Sequence, residues 1–274
     1  MNSKSAKCIL CSQDKTKFIG IIKPESWAVG DAEVYDCESC ELRFVMVSEA
    51  PNYDFIYNQT DTYASMLDFT RKLRRYDDPS WALIGLGHPY YAVLDFLKGK
   101  KDLKILDVGC GYGALTYIMA VLGHKVLGTE VSRQAAYMAK GLFGDFFMQG
   151  DIKEFKKQLP DERMDLVVAV EVIEHLANPM EFVKDCISVL KEGGNLILTT
   201  PNKDYKEIFL GRIEQHKDEI WKMEKPPIHL AIFGEKSMEY IAKENNLKLD
   251  IFRDFPGMAQ ITGSPNLVAI FTKT

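Results

Sequence analysis

From residue 101 onward, short apolar runs alternate with amphipathic stretches. Residues 104–108, 125–129 and 166–170 read as strands, and LVVAV at 166–170 is apolar throughout, as a strand buried on both faces requires. Residues 146–148 and 195–200 add two more. A helix lies between the last two long runs. Asn178 can cap it, Pro179 suits its first turn, and Phe182, Val183, Cys186, Val189 and Leu190 share one face. Gly193 and Gly194 are expected to end it. Residues 115–122 predict a helix opening from a glycine loop. A charged helical insertion follows Pro201 over 204–224, then a helix at 235–245. Late strands are expected at 248–255 and 266–272, with a turn at 263–265 before the second. This order predicts a doubly wound, mostly parallel α/β sheet covered on both faces.

The first hundred residues read differently. Residues 1–50 combine two cysteine pairs with short β-prone runs, and residues 51–100 are aromatic and mostly helical in pattern. The expected organisation is a metal-binding module at 1–50, a helical connecting or lid segment at 51–100, and the α/β domain at 101–274. No internal repeat interrupts it.

With 46% hydrophobic and 27% charged residues, the chain reads as globular. No apolar run reaches the roughly 18 residues of a membrane span, and the polar stretch 1–7 does not resemble a signal peptide. A cytoplasmic, reducing location is therefore expected, which favours metal ligands or buried thiols over disulfides for the six cysteines. The net charge of −5 argues against a nucleic-acid partner. The one dense basic cluster, Arg71, Lys72, Arg74 and Arg75, is flanked by Asp68, Asp77 and Asp78 and reads as a solvated helix face.

Cys8-x2-Cys11 and Cys37-x2-Cys40 are separated by 25 residues. Two such knuckles predict a closed, tetrahedral, structural zinc site in a zinc-ribbon-like module. Cys186 reads as core, and Cys110 as a small loop residue.

The strongest chemistry lies at Asp107-Val108-Gly109-Cys110-Gly111-Tyr112-Gly113, between a strand and a helix. Alone, the glycine pattern is weak, and its spacing departs from the dinucleotide fingerprint. Asp107 would repel a phosphate but suits an ammonium group. Acidic residues then recur at successive strand ends: Glu130, placed to accept from ribose hydroxyls; Asp151, placed to accept from an adenine amino group; and Glu171. Desolvated carboxylates need partners. A ligand that is cationic, rich in hydroxyls and free of phosphate meets that need, and S-adenosylmethionine is such a ligand.

The segments ILDVGCGYGALT, VLGTEVS, QGDI, DLVVAVEVIEHLANP and LKEGGNLILTTPN, within 101–203, resemble class I S-adenosylmethionine-dependent methyltransferases. The resemblance implies a Rossmann-like seven-stranded sheet whose last strand is antiparallel. It also implies cofactor contacts at Asp107, Gly109, Gly111, Gly113, Glu130, Asp151, Ile152 and Glu171. The cysteine pairs, Phe44 and the tyrosines Tyr53, Tyr57 and Tyr63 more loosely resemble the zinc-binding segment of methyltransferases acting on nucleotide-linked deoxysugars. That likeness implies a small-molecule acceptor such as a nucleotide-linked sugar, or a natural-product or surface-glycan precursor.

Methyl transfer to a hydroxyl needs a base, and imidazole has a suitable ordinary pKa. Of the five histidines, His175 follows Glu171 by four residues and is expected to face the cleft. In the sugar C-methyltransferases the proposed base lies in a Tyr-x-Glu-His segment; here only His229 matches, with Pro226 and Ile228 in the other two places. O- and N-methylation therefore stay open. His88 reads as a turn residue, and His124 and His216 as exposed. Two other readings compete: an RNA methyltransferase gripping RNA with the zinc module, and a nonenzymatic cofactor-binding regulator. Residues 1–50 carry six Lys/Arg against eight Asp/Glu, a poor match to a phosphate grip. The sequence does not specify an oligomeric state.

Overall fold

The computed structural model describes residues 6–22, 32–46, 61–74, 87–204, 229–252 and 266–274, with the side chains of 61–65 also left aside. The expected helical insertion at 204–224, the turn at 263–265, Tyr53, Tyr57, the side chain of Tyr63 and His216 lie outside what it describes. The chain packs as two compact units. One comprises 1–51, 171–184 and 199–269; the other comprises 52–170, 185–198 and 270–274.

In the first unit, β1 (Thr16–Ile22), β2 (Ala32–Cys37) and β3 (Arg43–Met46) form an antiparallel meander. Alternation sets its register: Ala32, Val34 and Val45 bury one face with Ile19 against them. Tyr35 stacks on Phe44 at 5.7 Å between ring centroids. A fourth strand comes from far along the chain. The two-residue β9 (Ala231–Ile232) pairs antiparallel with β3, Phe44 opposite Ala231. The cysteine module therefore completes its sheet with a strand that its local sequence does not contain.

The larger sheet has seven strands in the order β10-β11-β8-β7-β4-β5-β6. These are β4 (Lys104–Val108), β5 (Lys125–Glu130), β6 (Phe147–Gln149), β7 (Met164–Val170), β8 (Leu190–Pro201), β10 (Leu247–Ile251) and β11 (Asn266–Lys273). β4 pairs parallel with both β5 and β7, and β5 with β6. This is the mostly parallel, Rossmann-like architecture that the alternating pattern predicts.

Seven helices are described: α1 (Asp61–Leu73), α2 (His88–Leu97), α3 (Ala114–Val121), α4 (Arg133–Phe143), α5 (Ile152–Gln158), α6 (Pro179–Ser188) and α7 (Glu235–Glu244). Local signals explain their starts. The Ser132 hydroxyl accepts from the Ala135 N–H at 3.2 Å, and Asp151 caps α5.

Some expectations change. α6 stops at Ser188, and Gly193-Gly194 lie within β8, so they shape that strand rather than end the helix. His88 begins α2 and is buried; it is not a turn residue. His124 is buried, not exposed, and desolvation lowers its pKa. Cys186 is core, as expected. Lys72 pairs with Asp68 at 2.6 Å on an exposed face of α1. No described helix is long and apolar enough to cross a membrane.

Candidate active site

The glycine loop runs from the end of β4 to the start of α3 in the second unit. Gly109, Gly111 and Gly113 all have positive φ: 72°, 55° and 82°. Two consecutive amides, Gly109 and Cys110, donate to the Thr129 carbonyl at 2.8 and 3.0 Å and pin the loop to β5. At Gly113 the requirement is doubled. Besides its left-handed backbone, an added Cβ would lie 2.4 Å from Phe147 Cζ.

Two buried carboxylates sit beneath this loop. Glu130 ends β5; its Oε2 accepts from the Gly111 N–H at 2.8 Å and its Oε1 from the Ser132 N–H at 2.8 Å. Asp107 Oδ2 accepts from the Thr116 hydroxyl at 2.6 Å. Burial pushes the Asp107 carboxyl up to about 7; the Thr116 hydroxyl opposes the rise and the Glu130 charge adds to it. No cation contributes to that balance, so the loop lies over an acidic floor that favours a positively charged ligand. Cys110 is pushed up by burial and by both carboxylates, which fits a loop residue and not a nucleophile.

Asp151 is exposed, and its Oδ1 accepts from the Lys153 and Glu154 N–H groups at 3.0 and 2.9 Å. That oxygen is a helix cap. Ile152, the first residue of α5, is buried.

In the first unit, Glu171 follows β7 with φ +54°, a left-handed conformation that costs a non-glycine residue about 1–3 kcal/mol. Its N–H bonds the Thr199 carbonyl at 3.1 Å, and the Thr199 hydroxyl donates to Glu171 Oε1 at 2.9 Å. Burial pushes its carboxyl up to about 8, and the Glu174 charge adds to the rise. The chain then makes a single 3-10 turn, Ile173–His175. Glu174 Oε1 lies 3.8 Å from His175 Nε2, and the His175 and His229 rings meet edge to face at 4.8 Å. The two histidines chosen from sequence, 54 residues apart, are thus neighbours. Glu174, which no local sequence pattern marks, is buried completely.

Backbone bonds fix this juxtaposition. Leu230 donates its N–H to the Glu174 carbonyl at 2.7 Å, and its carbonyl accepts from the Val45 N–H at 2.8 Å. Leu230, the neighbour of His229, is therefore held between β3 and the 3-10 turn.

The four cysteines converge in the same unit, all buried. Cys8 Sγ lies 3.6 Å from Cys40 Sγ, and Cys11 Sγ lies 3.5 Å from Cys37 Sγ. These spacings are too long for disulfides and close to the roughly 3.8 Å between thiolates that share a tetrahedral zinc at about 2.3 Å. Burial pushes the Cys11 thiol up to about 12, and the Cys8 neighbour and burial raise Cys40. The Cys40 hydrogen bond holds Cys8 down at about 5. Thiols so crowded resist ionising together, and a divalent cation removes that resistance.

Comparison with known proteins decides the family. The methyltransferase-domain family profile matches residues 88–250. The chain belongs to that family. Ubiquinone biosynthesis O-methyltransferase of Parvibaculum lavamentivorans is 35% identical over 109 residues, covering 39% of this chain and 43% of the relative. The protein of the same name from Glaesserella parasuis is 33% identical over 124 residues, covering 42% and 52%. The chain thus spans about half the length of these curated relatives. Among solved structures, the PH0226 protein of Pyrococcus horikoshii has a TM-score of 0.54 at 17% identity, covering 80% of this chain and 99% of that one. The plantazolicin methyltransferase BpumL, solved with SAH, has a TM-score of 0.52 at 18% identity, covering 81% and 93%. These likenesses establish the methyltransferase fold. The relatives' names concern ubiquinone biosynthesis and lend no support to a sugar or glycan acceptor.

Proposed function

We propose that this chain transfers a methyl group from S-adenosylmethionine to a hydroxyl of a small-molecule acceptor. The observation that carries this reading is the buried Asp107–Glu130 pair under the glycine loop. When bound, S-adenosylmethionine supplies the methyl group and, as a sulfonium, its own leaving group. Asp107 takes the cationic amino-acid end, and Gly109, Gly111 and Gly113 let the main chain approach it closely. Glu130 accepts from the ribose hydroxyls. Asp151 offers Oδ2 to the adenine amino group, Ile152 packs beside the base, and Glu171 completes the acidic series.

His175 and His229 handle the acceptor's proton. Their proximity makes a shared acceptor-side task physically reasonable. The relatives' name, O-methyltransferase, favours O-methylation over the N- and C-alternatives and does not favour a nucleotide-linked sugar. Cys8, Cys11, Cys37 and Cys40 hold one structural Zn²⁺, closed to water, consistent with a reducing cytoplasm. The acidic balance of residues 1–50 favours a small molecule over RNA.

The test is S-adenosylmethionine with a labelled methyl group, incubated with the protein and a cell extract. Label in the small-molecule fraction supports the reading, and mass spectrometry of that peak identifies the acceptor. Label in RNA overturns it. His175→Ala and His229→Ala should each lower turnover by about 10²-fold or more with cofactor affinity intact. Unchanged turnover in both removes the histidines from the reaction.

A further inference from the structure

We infer that Glu174, His175 and His229 form a second metal site, for a divalent ion of the first transition row. Their ligand atoms, one from each residue, all lie within 4.8 Å of one another. From there, side-chain rotation can close them onto an ion at roughly 2.0–2.2 Å per ligand. Two imidazoles and a carboxylate suit zinc, iron or manganese, and three ligands leave coordination positions open.

The burial of Glu174 makes the case specific. Its side chain has no exposed surface, yet neither carboxylate oxygen meets a hydrogen-bond partner at good geometry, although the Thr200 hydroxyl lies close enough to favour the ionised form. That hydroxyl is also buried without a partner at good geometry. A buried carboxylate in that state is costly. His175 Nε2, 3.8 Å from Glu174 Oε1, is beyond hydrogen-bond reach and within reach of a shared ion. The backbone holds the three together. The 3-10 turn after the left-handed Glu171 presents Glu174 and His175 consecutively. Leu230 ties the segment carrying His229 to the Glu174 carbonyl. None of the four cysteines of the thiolate site takes part, so the two sites have separate ligands.

This inference rests on the methyltransferase reading for its purpose and not for its ligands. An ion here would accept the oxygen of an acceptor hydroxyl and lower its pKa, so that its proton leaves to solvent. With the ion bound, the histidines act on the acceptor's proton through the ion they hold and not as free bases.

The test uses Mn²⁺ alone, which prefers nitrogen and oxygen ligands to thiolates. The full chain, with its cysteine site loaded with zinc, is titrated with Mn²⁺, and the free ion is followed by electron paramagnetic resonance. One saturable site per chain is expected. Glu174→Gln and His229→Ala should each weaken it at least about tenfold, while S-adenosylmethionine affinity changes less than about twofold. A variant that loses both zinc and cofactor has lost its fold, and His229→Asn then carries the comparison. No saturable Mn²⁺ binding in the wild type, or wild-type affinity in the folded variants, overturns the metal site. Mn²⁺ binding by a wild-type chain that does not bind S-adenosylmethionine sinks the methyltransferase reading and leaves the metal site standing.

Discussion

Glu130 accepts a hydrogen bond from the Gly111 N–H at 2.8 Å while its other oxygen accepts from the Ser132 N–H at the same distance. One side chain thus ties the glycine loop to the start of α4. Glu130→Ala leaves two buried amides without their acceptor, at about 1–3 kcal/mol each. The variant should melt at lower temperature and show no measurable S-adenosylmethionine binding by calorimetry. Binding at wild-type affinity would remove Glu130 from the cofactor site.

Gly113 and Gly141 make a paired test of whether the loop's glycines are required by shape. Gly113→Ala places a methyl group 2.4 Å from Phe147 Cζ at φ +82°. It should destabilise the protein by about 2 kcal/mol or more. Gly141 lies inside α4, with nothing within 4 Å of an added Cβ. Gly141→Ala should stabilise by roughly 0.5–1 kcal/mol. Urea unfolding of both variants measures the contrast, and equal midpoints would refute it.

Asp107 gives the cofactor reading a pH signature. Its carboxyl is pushed from an ordinary 3.8 to about 7, chiefly by burial. The folded chain therefore holds more protons than the unfolded one between those values, and Asp107 makes the free protein less stable as pH rises across that window. A cationic ligand binds the ionised form. Its affinity should fall by up to about tenfold per unit below about pH 7, as Asp107 takes up its proton. Calorimetry across that range measures it, and Asp107→Asn should bind weakly with a flatter profile. A wild-type profile with no fall below neutrality would detach Asp107 from the ligand's charge.

Much of this site is legible in the chain. LVVAV, the glycine loop and the acids at strand ends follow from local pattern, and the structure puts each at the end of its predicted strand or loop. Pairings made over long separations are less legible. β9 is two residues long and has no pattern of its own; only its partner β3 makes it a strand. Glu174 looks solvated in sequence because its burial depends on what packs over a single 3-10 turn. Asp151 carries both readings at once, since the oxygen that caps α5 belongs to the carboxylate expected to meet a ligand. His124 shows the same limit: between Gly123 and Lys125 it reads as exposed, and tertiary packing buries it.

The four-cysteine cluster and the histidine pair are linked by backbone hydrogen bonds through Leu230. Cys37 ends β2 and Cys40 lies in the turn before β3, so an ion on the four thiolates would fix the β2–β3 hairpin. The Ser237 hydroxyl donates to the Cys40 carbonyl at 2.9 Å and ties α7 to the same turn. β3 in turn pairs with β9, and Val45 holds the Leu230 carbonyl beside His229. The wild type should contain about one Zn per chain by elemental analysis. Cys37→Ser should lose most of it and lower the melting temperature. Loss of the hairpin frees His229, so turnover should fall at least about tenfold. S-adenosylmethionine affinity should change less, because Asp107 and Glu130 draw their hydrogen bonds from the other unit. A zinc-free chain with wild-type turnover would show that the module does not position the histidine.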